Sequence, residues 1–206
     1  MATSRRDRTE RARPKLLRLL KERSFRRGTV RLASGQTSDF FIDCKPTVLS
    51  AEGHHLVGEL MLDALRQLPK CEAVAGVALG GCPLASAVSL TSVIRNRPLP
   101  AVYVRKETKG HGTQKRVEGT VHAGMTVAIL EDVITTGGST LRAVEVLREA
   151  GCEVVGVVTL VDRLEGGLEN LTQAGLVTVA LYTRHDFVEG ELDNPLSETL
   201  GVESQK

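Results

Sequence analysis

The stretch from Thr126 to Thr140, Thr-Val-Ala-Ile-Leu-Glu-Asp-Val-Ile-Thr-Thr-Gly-Gly-Ser-Thr, constrains this chain more than any other. Val127–Leu130 is a short apolar run of the kind that a buried parallel strand needs. Glu131 and Asp132 follow, then a loop of hydroxyls and glycines, then Leu141, Val144 and Leu147 spaced by three as on a helix face. The order is strand, acidic step, small-residue loop, helix. Glycines let the backbone turn tightly and approach a ligand. The first amides of a helix lack internal partners and sit at the positive end of its dipole. A phosphate binds there, with Thr136, Ser139 and Thr140 adding hydroxyls. Carboxylates touching that phosphate would repel it, so Glu131 and Asp132 are better placed on neutral hydroxyls or a metal nearby. A ribose 5-phosphate satisfies both halves. The plain alternative is a βα turn whose hydroxyls cap a helix and whose acids are solvated. The acid pair at the end of an apolar strand favours the ligand. The Gly-Lys-Ser/Thr ending of a P-loop is absent.

A chain of 206 residues suits one domain, with room for a small appendage. Aromatics make up 3% and Trp is missing, so the expected core is aliphatic. A net charge of +2 does not announce a nucleic-acid protein. Cys44, Cys71, Cys82 and Cys152 are far apart and form no Cys-x-x-Cys pair, which reads as reduced structural thiols in a cytoplasmic protein. No apolar run of about 18 residues offers a membrane span, and no signal peptide is seen at the start.

Residues 1–13 hold five arginines diluted by Asp7 and Glu10, and are read as a solvated basic arm; no aromatics or second basic patch accompany them to suggest nucleic acid. Pro14 is expected to open a helix with Leu16, Leu17, Leu19 and Leu20 buried. Residues 25–49 alternate as two strands joined at Ser34-Gly35; Phe40 and Phe41 are core, as most such pairs are, or stack a flat ring for which the neighbouring Ser-Gly and Ser-Asp steps leave room. Ser50 is an N-cap for a helix whose wide stripe includes Leu56, Val57, Leu60, Met61 and Leu65 and which Pro69 ends. His54 and His55 in its first turns have no third ligand in sight and read as surface or packing residues. Ala73–Leu79 is a strand, and Gly80-Gly81 before a helix through Ile94 is either an anion site or a tight turn. Ala101–Val104 is another strand. Residues 105–124 then crowd Arg105, Lys106, Lys109, His111, Lys115 and Arg116 among glycines, as a cationic lid over a polyanion would. Gly151 closes the helix after the central motif, Val154–Val161 is a strand ending at Asp162-Arg163, and Gly175–Tyr182 is the last strand. Arg163 faces a ligand crevice or pairs with Asp162 or Glu165. Residues 186–206 read as a polar tail with a short helix.

Glu131-Asp132-Val133-Ile134-Thr135-Thr136-Gly137-Gly138-Ser139 resembles the phosphoribosyl pyrophosphate (PRPP) signature of the type I phosphoribosyltransferases, and its wording is most similar to the orotate phosphoribosyltransferases. Leu32-Ala33-Ser34-Gly35 resembles their hood, and Arg105-Lys106-Glu107-x-Lys109-x-His111-Gly112 their catalytic lid. The resemblance spans about residues 14–185. It implies an α/β fold, a central mainly parallel sheet flanked by helices, with a small hood at about 24–49 and a lid at about 105–124. It implies PRPP binding by Arg105, Lys106, Lys109, His111 and residues Glu131 to Ser139, with Lys109, His111, Arg105 and Asp132 catalytic. Thr135, Arg163 and Phe41 would hold orotate, Arg163 at its carboxylate. Mg²⁺ would be held through PRPP, near Glu131 and Asp132 and with no direct protein ligand. A homodimer sharing the lid is implied. Ala33, Leu79-Gly80-Gly81-Cys82 and Thr113 stand where some members carry charged residues, and Lys45 is a candidate substitute for one of those charges. Two alternatives stay open: a transferase for another nucleobase, which would not need Arg163, and a nucleic-acid-binding regulator, which would not need the lid.

Overall fold

The computed structural model describes residues 5–31, 37–106 and 115–188. The chain opens on α1 (Arg5–Arg23), followed by β1 (Phe25–Arg31), β2 (Thr37–Ile42), α2 (Lys45–Val48) and α3 (Ala51–Ala64). Next come β3 (Ala73–Val77), α4 (Gly81–Ile94), β4 (Ala101–Val104) and the two-residue β5 (Val117–Glu118). The last part is β6 (Thr126–Ile134), α5 (Gly138–Glu149), β7 (Glu153–Asp162), α6 (Gly167–Gln173), β8 (Val177–Thr183) and α7 (Arg184–Val188). Six strands form one sheet in the order β5-β4-β3-β6-β7-β8, parallel except for the antiparallel β4–β5 edge.

Burial follows from strand periodicity. Along β6, Ala128 and Leu130 join the core on one face, while Val127 and Ile129 join the core on the other. Residues two apart share a face, so a strand buried on both sides must be apolar throughout. Leu16, Leu20, Leu60, Met61 and Val88 of α1, α3 and α4 fill the first core. Val144, Leu147 and Leu171 of α5 and α6 fill the second.

Local chemistry sets the helix ends. Ser50 Oγ accepts the Gly53 amide at 3.2 Å and caps α3. At the end of α5, Gly151 takes φ +85°, its amide donates to Arg148 and the Cys152 amide donates to Leu147. These paired bonds make a Schellman closure, which needs a residue tolerant of the left-handed region.

Two expectations change. The first helix starts at Arg5, ahead of Pro14, which lies inside it. Its buried face already includes Ala12, so packing outweighs the local break at Pro14. Residues 5–13 are therefore helical rather than an arm. Tyr182 Oη donates to the Arg13 carbonyl at 2.7 Å, and the Arg13 guanidinium donates to the Leu181 carbonyl and lies over the Tyr182 ring. At the other end, Phe187 is fully buried, with its ring 5.6 Å from Phe25 and 5.8 Å from Phe40. The domain thus extends past residue 185 before the remaining tail, 189–206, which lies outside the described residues.

The expected hood pair is present as an antiparallel two-stranded sheet, with Phe25 opposite Ile42 and Arg26 opposite Phe41. Its joining turn, with Ala33 and Ser34-Gly35, lies outside the described residues. Among the described residues no helix is long and apolar enough to cross a membrane.

Candidate active site

β6 runs four residues beyond the apolar stretch, so the acid pair sits on the strand itself. Glu131 is buried at 4% exposure, and its Oε1 accepts the Thr140 hydroxyl at 3.0 Å and the Ser139 hydroxyl at 3.5 Å. Burial, and then the Asp132 charge, raise the Glu131 carboxyl to about 7, against the lowering effect of Thr140. Two hydroxyls expected to face a phosphate thus bind the first acid instead. Thr140 is buried and committed to Glu131, while Ser139 is half-buried and lines an open cleft.

Asp132 emerges on the other side of the strand. Its Oδ1 accepts the Val133 amide at 3.0 Å, and burial still leaves its pKa above the ordinary value. The turn before α4 presses on it: a Cβ on Gly80 would lie 2.1 Å from Asp132 Oδ2. The Ala78–Leu79 peptide bond in this turn is cis. The Gly80-Gly81 turn therefore reaches the same carboxylate as the central motif.

Thr135, Thr136 and Gly137 form the loop into α5, and Gly137 takes φ +80° at the helix N-cap. The loop is braced from behind. Asn170 Nδ2 donates to the Thr136 carbonyl at 3.0 Å, and Gly167 sits so close that a Cβ there would be 2.4 Å from the Thr135 carbonyl oxygen. The starting amides of α5 are thereby presented at the carboxyl end of β6, a geometry suited to an anion.

Arg163 lies at the end of β7, where its amide donates to the Ile134 carbonyl at 3.0 Å. Its guanidinium pairs with Glu165 at 2.7 Å and lies 5.7 Å from the centre of the Phe40 ring. The salt-bridge alternative for Arg163 thus holds in this state. Phe40 is the ring beside Arg163 and belongs to the buried aromatic cluster; Phe41 is half-buried one position on, where strand alternation points it the opposite way.

The described ends of the lid are placed too. Arg105 donates from Nε and Nη2 to Glu118 Oε1 at 2.8 Å, and β5 holds this pair against β4. Arg105, Lys106, Arg116, Ser139 and Arg142 line a narrow cleft beside the start of α5. Lys109 and His111 lie outside the described residues, as does Thr113. Arg142 was not singled out from sequence; its place three residues after Ser139, on the same helix face, was the available signal. Asp43 was also missed. The carboxylate of Asp43 binds Lys45 Nζ at 2.6 Å, and both groups are close enough to Asp132 to alter its titration. All four cysteines are free thiols. His54 Nδ1 lies 3.1 Å from the Val48 carbonyl.

A parallel sheet with an acid pair beside a braced helix start defines a phosphoribosyltransferase-type site. The phosphoribosyl transferase domain model matches residues 52–177. An orotate phosphoribosyltransferase from Sorangium cellulosum is 70% identical over 159 residues, covering 76% of this chain and 83% of that protein. The structure of the Mycobacterium tuberculosis H37Rv orotate phosphoribosyltransferase with Fe(III) dicitrate superposes with a TM-score of 0.76 at 35% identity, covering 85% of this chain and 98% of that one. The same enzyme in complex with PRPP gives a TM-score of 0.73 at 32% identity over 86% of this chain and 99% of that one. The chain belongs to the phosphoribosyltransferase family and, within it, groups with the orotate phosphoribosyltransferases.

Proposed function

We propose that the protein transfers the 5-phosphoribosyl group of PRPP to orotate, giving orotidine 5′-phosphate and pyrophosphate in pyrimidine biosynthesis. The observation that carries this is the junction of β6 with α5, where the acid pair and the braced helix amides meet beside Arg163. The sugar phosphate sits on the amides from Thr135 to Ser139, and Asp132 takes the ribose hydroxyls. The diphosphate lies towards Gly80-Gly81 and the start of α4. Orotate occupies the space between Thr135 and the hood, its carboxylate drawing Arg163 away from Glu165.

An orotate ring nitrogen forms its bond to ribose C1 as the C1–oxygen bond to diphosphate breaks; the electron pair leaves with pyrophosphate, which takes up the proton that the nitrogen sheds. The developing sugar cation is favoured by the neighbouring carboxylates. Arg105, Lys106, Lys109 and His111 offset the leaving group's charge once the lid covers the pocket. No covalent nucleophile is required. Asp132 offers oxygens of the kind a hard cation prefers, but no group of three or more His, Cys, Asp or Glu gathers among the described residues. On this reading Mg²⁺ would be held through PRPP oxygens with Glu131 and Asp132 nearby, and would supply further charge neutralisation. Free thiols suit the cytoplasm, and a homodimer would share the lid.

The test mixes the protein with orotate, PRPP and Mg²⁺ and follows the loss of orotate absorbance. Parallel reactions with uracil, hypoxanthine and adenine should stay silent. Turnover of one of those bases in place of orotate would refute the assignment.

A further inference from the structure

Lys45 stands at the start of α2, a four-residue helix pinned on both sides. Thr47 Oγ1 donates to the Leu19 carbonyl at 3.1 Å and lies 2.7 Å from Ser24 Oγ, and Val48 is buried. One residue earlier, Cys44 Sγ is 3.8 Å from the Asp132 carbonyl oxygen. The segment is therefore fixed against β6 at the acid pair. Lys45 Nζ is 2.6 Å from Asp43 Oδ1, and the same oxygen accepts the Lys45 amide at 3.1 Å. The Asp43 bond raises the Lys45 pKa first, and the Asp132 charge adds to it. Asp132 in turn abuts Gly80, so Lys45 and the turn before α4 converge on one carboxylate.

Charge balance favours an ammonium on this side of the pocket. Leu79-Gly80-Gly81-Cys82 carries no cation, and Arg105 is engaged by Glu118. Asp43 and Asp132 would both repel a diphosphate bound over that turn. The Lys45–Asp43 pair is half-exposed, with side chains 44% and 35% accessible. Such a solvent-screened pair is weak, so a multiply charged anion can displace the carboxylate.

We infer that Lys45 is a diphosphate-binding residue, its ammonium exchanging Asp43 for an oxygen of the PRPP diphosphate. The assignment rests on the phosphoribosyltransferase reading of the site. It adds a contact from the hood side of the pocket, opposite the lid.

Lys45→Met, Lys45→Arg and Asp43→Asn would be compared with the unaltered protein by calorimetric titration with PRPP and Mg²⁺, and by separate KM values for PRPP and orotate. A lost charge-assisted hydrogen bond should weaken PRPP binding by about tenfold or more in Lys45→Met. Lys45→Arg should retain most of the affinity. Asp43→Asn should bind PRPP as well or better, because it removes the competing carboxylate. The orotate KM should move less than the PRPP KM. Unchanged PRPP affinity in Lys45→Met, with melting lowered equally in Lys45→Met and Asp43→Asn, would overturn the assignment and leave a purely structural pair. A rise confined to the orotate KM would overturn it as well. Failure of the unaltered protein to bind PRPP would instead overturn the underlying functional reading.

Discussion

Glu131 is the residue at which fold and chemistry conflict most directly. Its carboxyl is buried beside Asp132, so ionising it costs free energy even with two hydroxyls donating to it. Its folded pKa of about 7 lies above the ordinary glutamate value of 4.5. Between those values the folded state keeps a proton that the unfolded chain has released. Stability therefore falls as pH rises through that window and levels off above it. Glu131→Gln removes this slope, and its melting temperature should gain on that of the parent between about pH 5 and pH 8, at about 2–4 °C per kcal/mol. Thermal melts across that range check it; parallel curves would show that Glu131 does not titrate as its burial requires. Arg163 gives a second prediction. It is paired with Glu165 here, so on the proposed reading orotate must win it from that partner. Arg163→Ala should raise the orotate KM by about tenfold or more while PRPP binding changes little. Equal damage to both substrates in steady-state assays would place the side chain elsewhere. The third concerns Lys109 in the lid. Lys109→Ala should lower turnover by orders of magnitude with an unchanged melting temperature. Unchanged turnover would mean that the lid is only a solvated loop.

At the scale of elements, the phosphate loop owes its shape to a helix in the next βα unit. Gly167 opens α6 against the Thr135 carbonyl, and a Cβ there would also sit 2.3 Å from Ile134 Cγ2. Gly167→Ala must push the loop forward, misplacing the amides proposed to receive the phosphate. The expected result is a loss of about 1–3 kcal/mol in stability and a raised PRPP KM, measured by denaturant unfolding and initial rates. An unaltered PRPP KM in a stable variant would show that the loop does not depend on this brace. That dependence was not legible in the sequence, because Gly167 and Thr135 are far apart in the chain and meet only after folding, through the β6–β7 pairing and the contacts of α6. What was legible had local causes. The Ser50 cap, the Gly151 closure and the Ala101–Val104 strand each follow from residues adjacent in the chain. The start of α1 and the fate of Phe187 do not: both are decided by contacts with distant parts of the chain, at Tyr182 and Phe40. The site divides in the same way. The acid pair and the glycine loop could be read from their order, whereas Asp43 joins them only through folding.

At the scale of the whole molecule, the sheet brings the carboxyl ends of β3, β6 and β7 together, with the hood on one side and the β4–β5 edge on the other. One surface has no role in that pocket. Leu90, Val93 and Ile94 on α4 are each about 60% exposed, and Leu49 beside them is 65% exposed. Leu49, His54, Ala87, Leu90 and Ile94 line a shallow depression between α3 and α4. Large apolar side chains gathered in one place make this the face that the proposed homodimer would bury. Such a face would also fit the proposal of a shared lid, since it lies on α4, whose first turn approaches Asp132. Leu90→Asp with Ile94→Asp would place two charges on each half of a symmetric contact. The expected result is a monomer by light scattering, with secondary structure retained because both side chains are already exposed in the single chain. If the lid acts across the dimer, turnover should fall with dissociation and recover as protein concentration is raised. A dimer that survives both substitutions would assign the contact to another face, and a fully active monomer would remove the need for a shared lid.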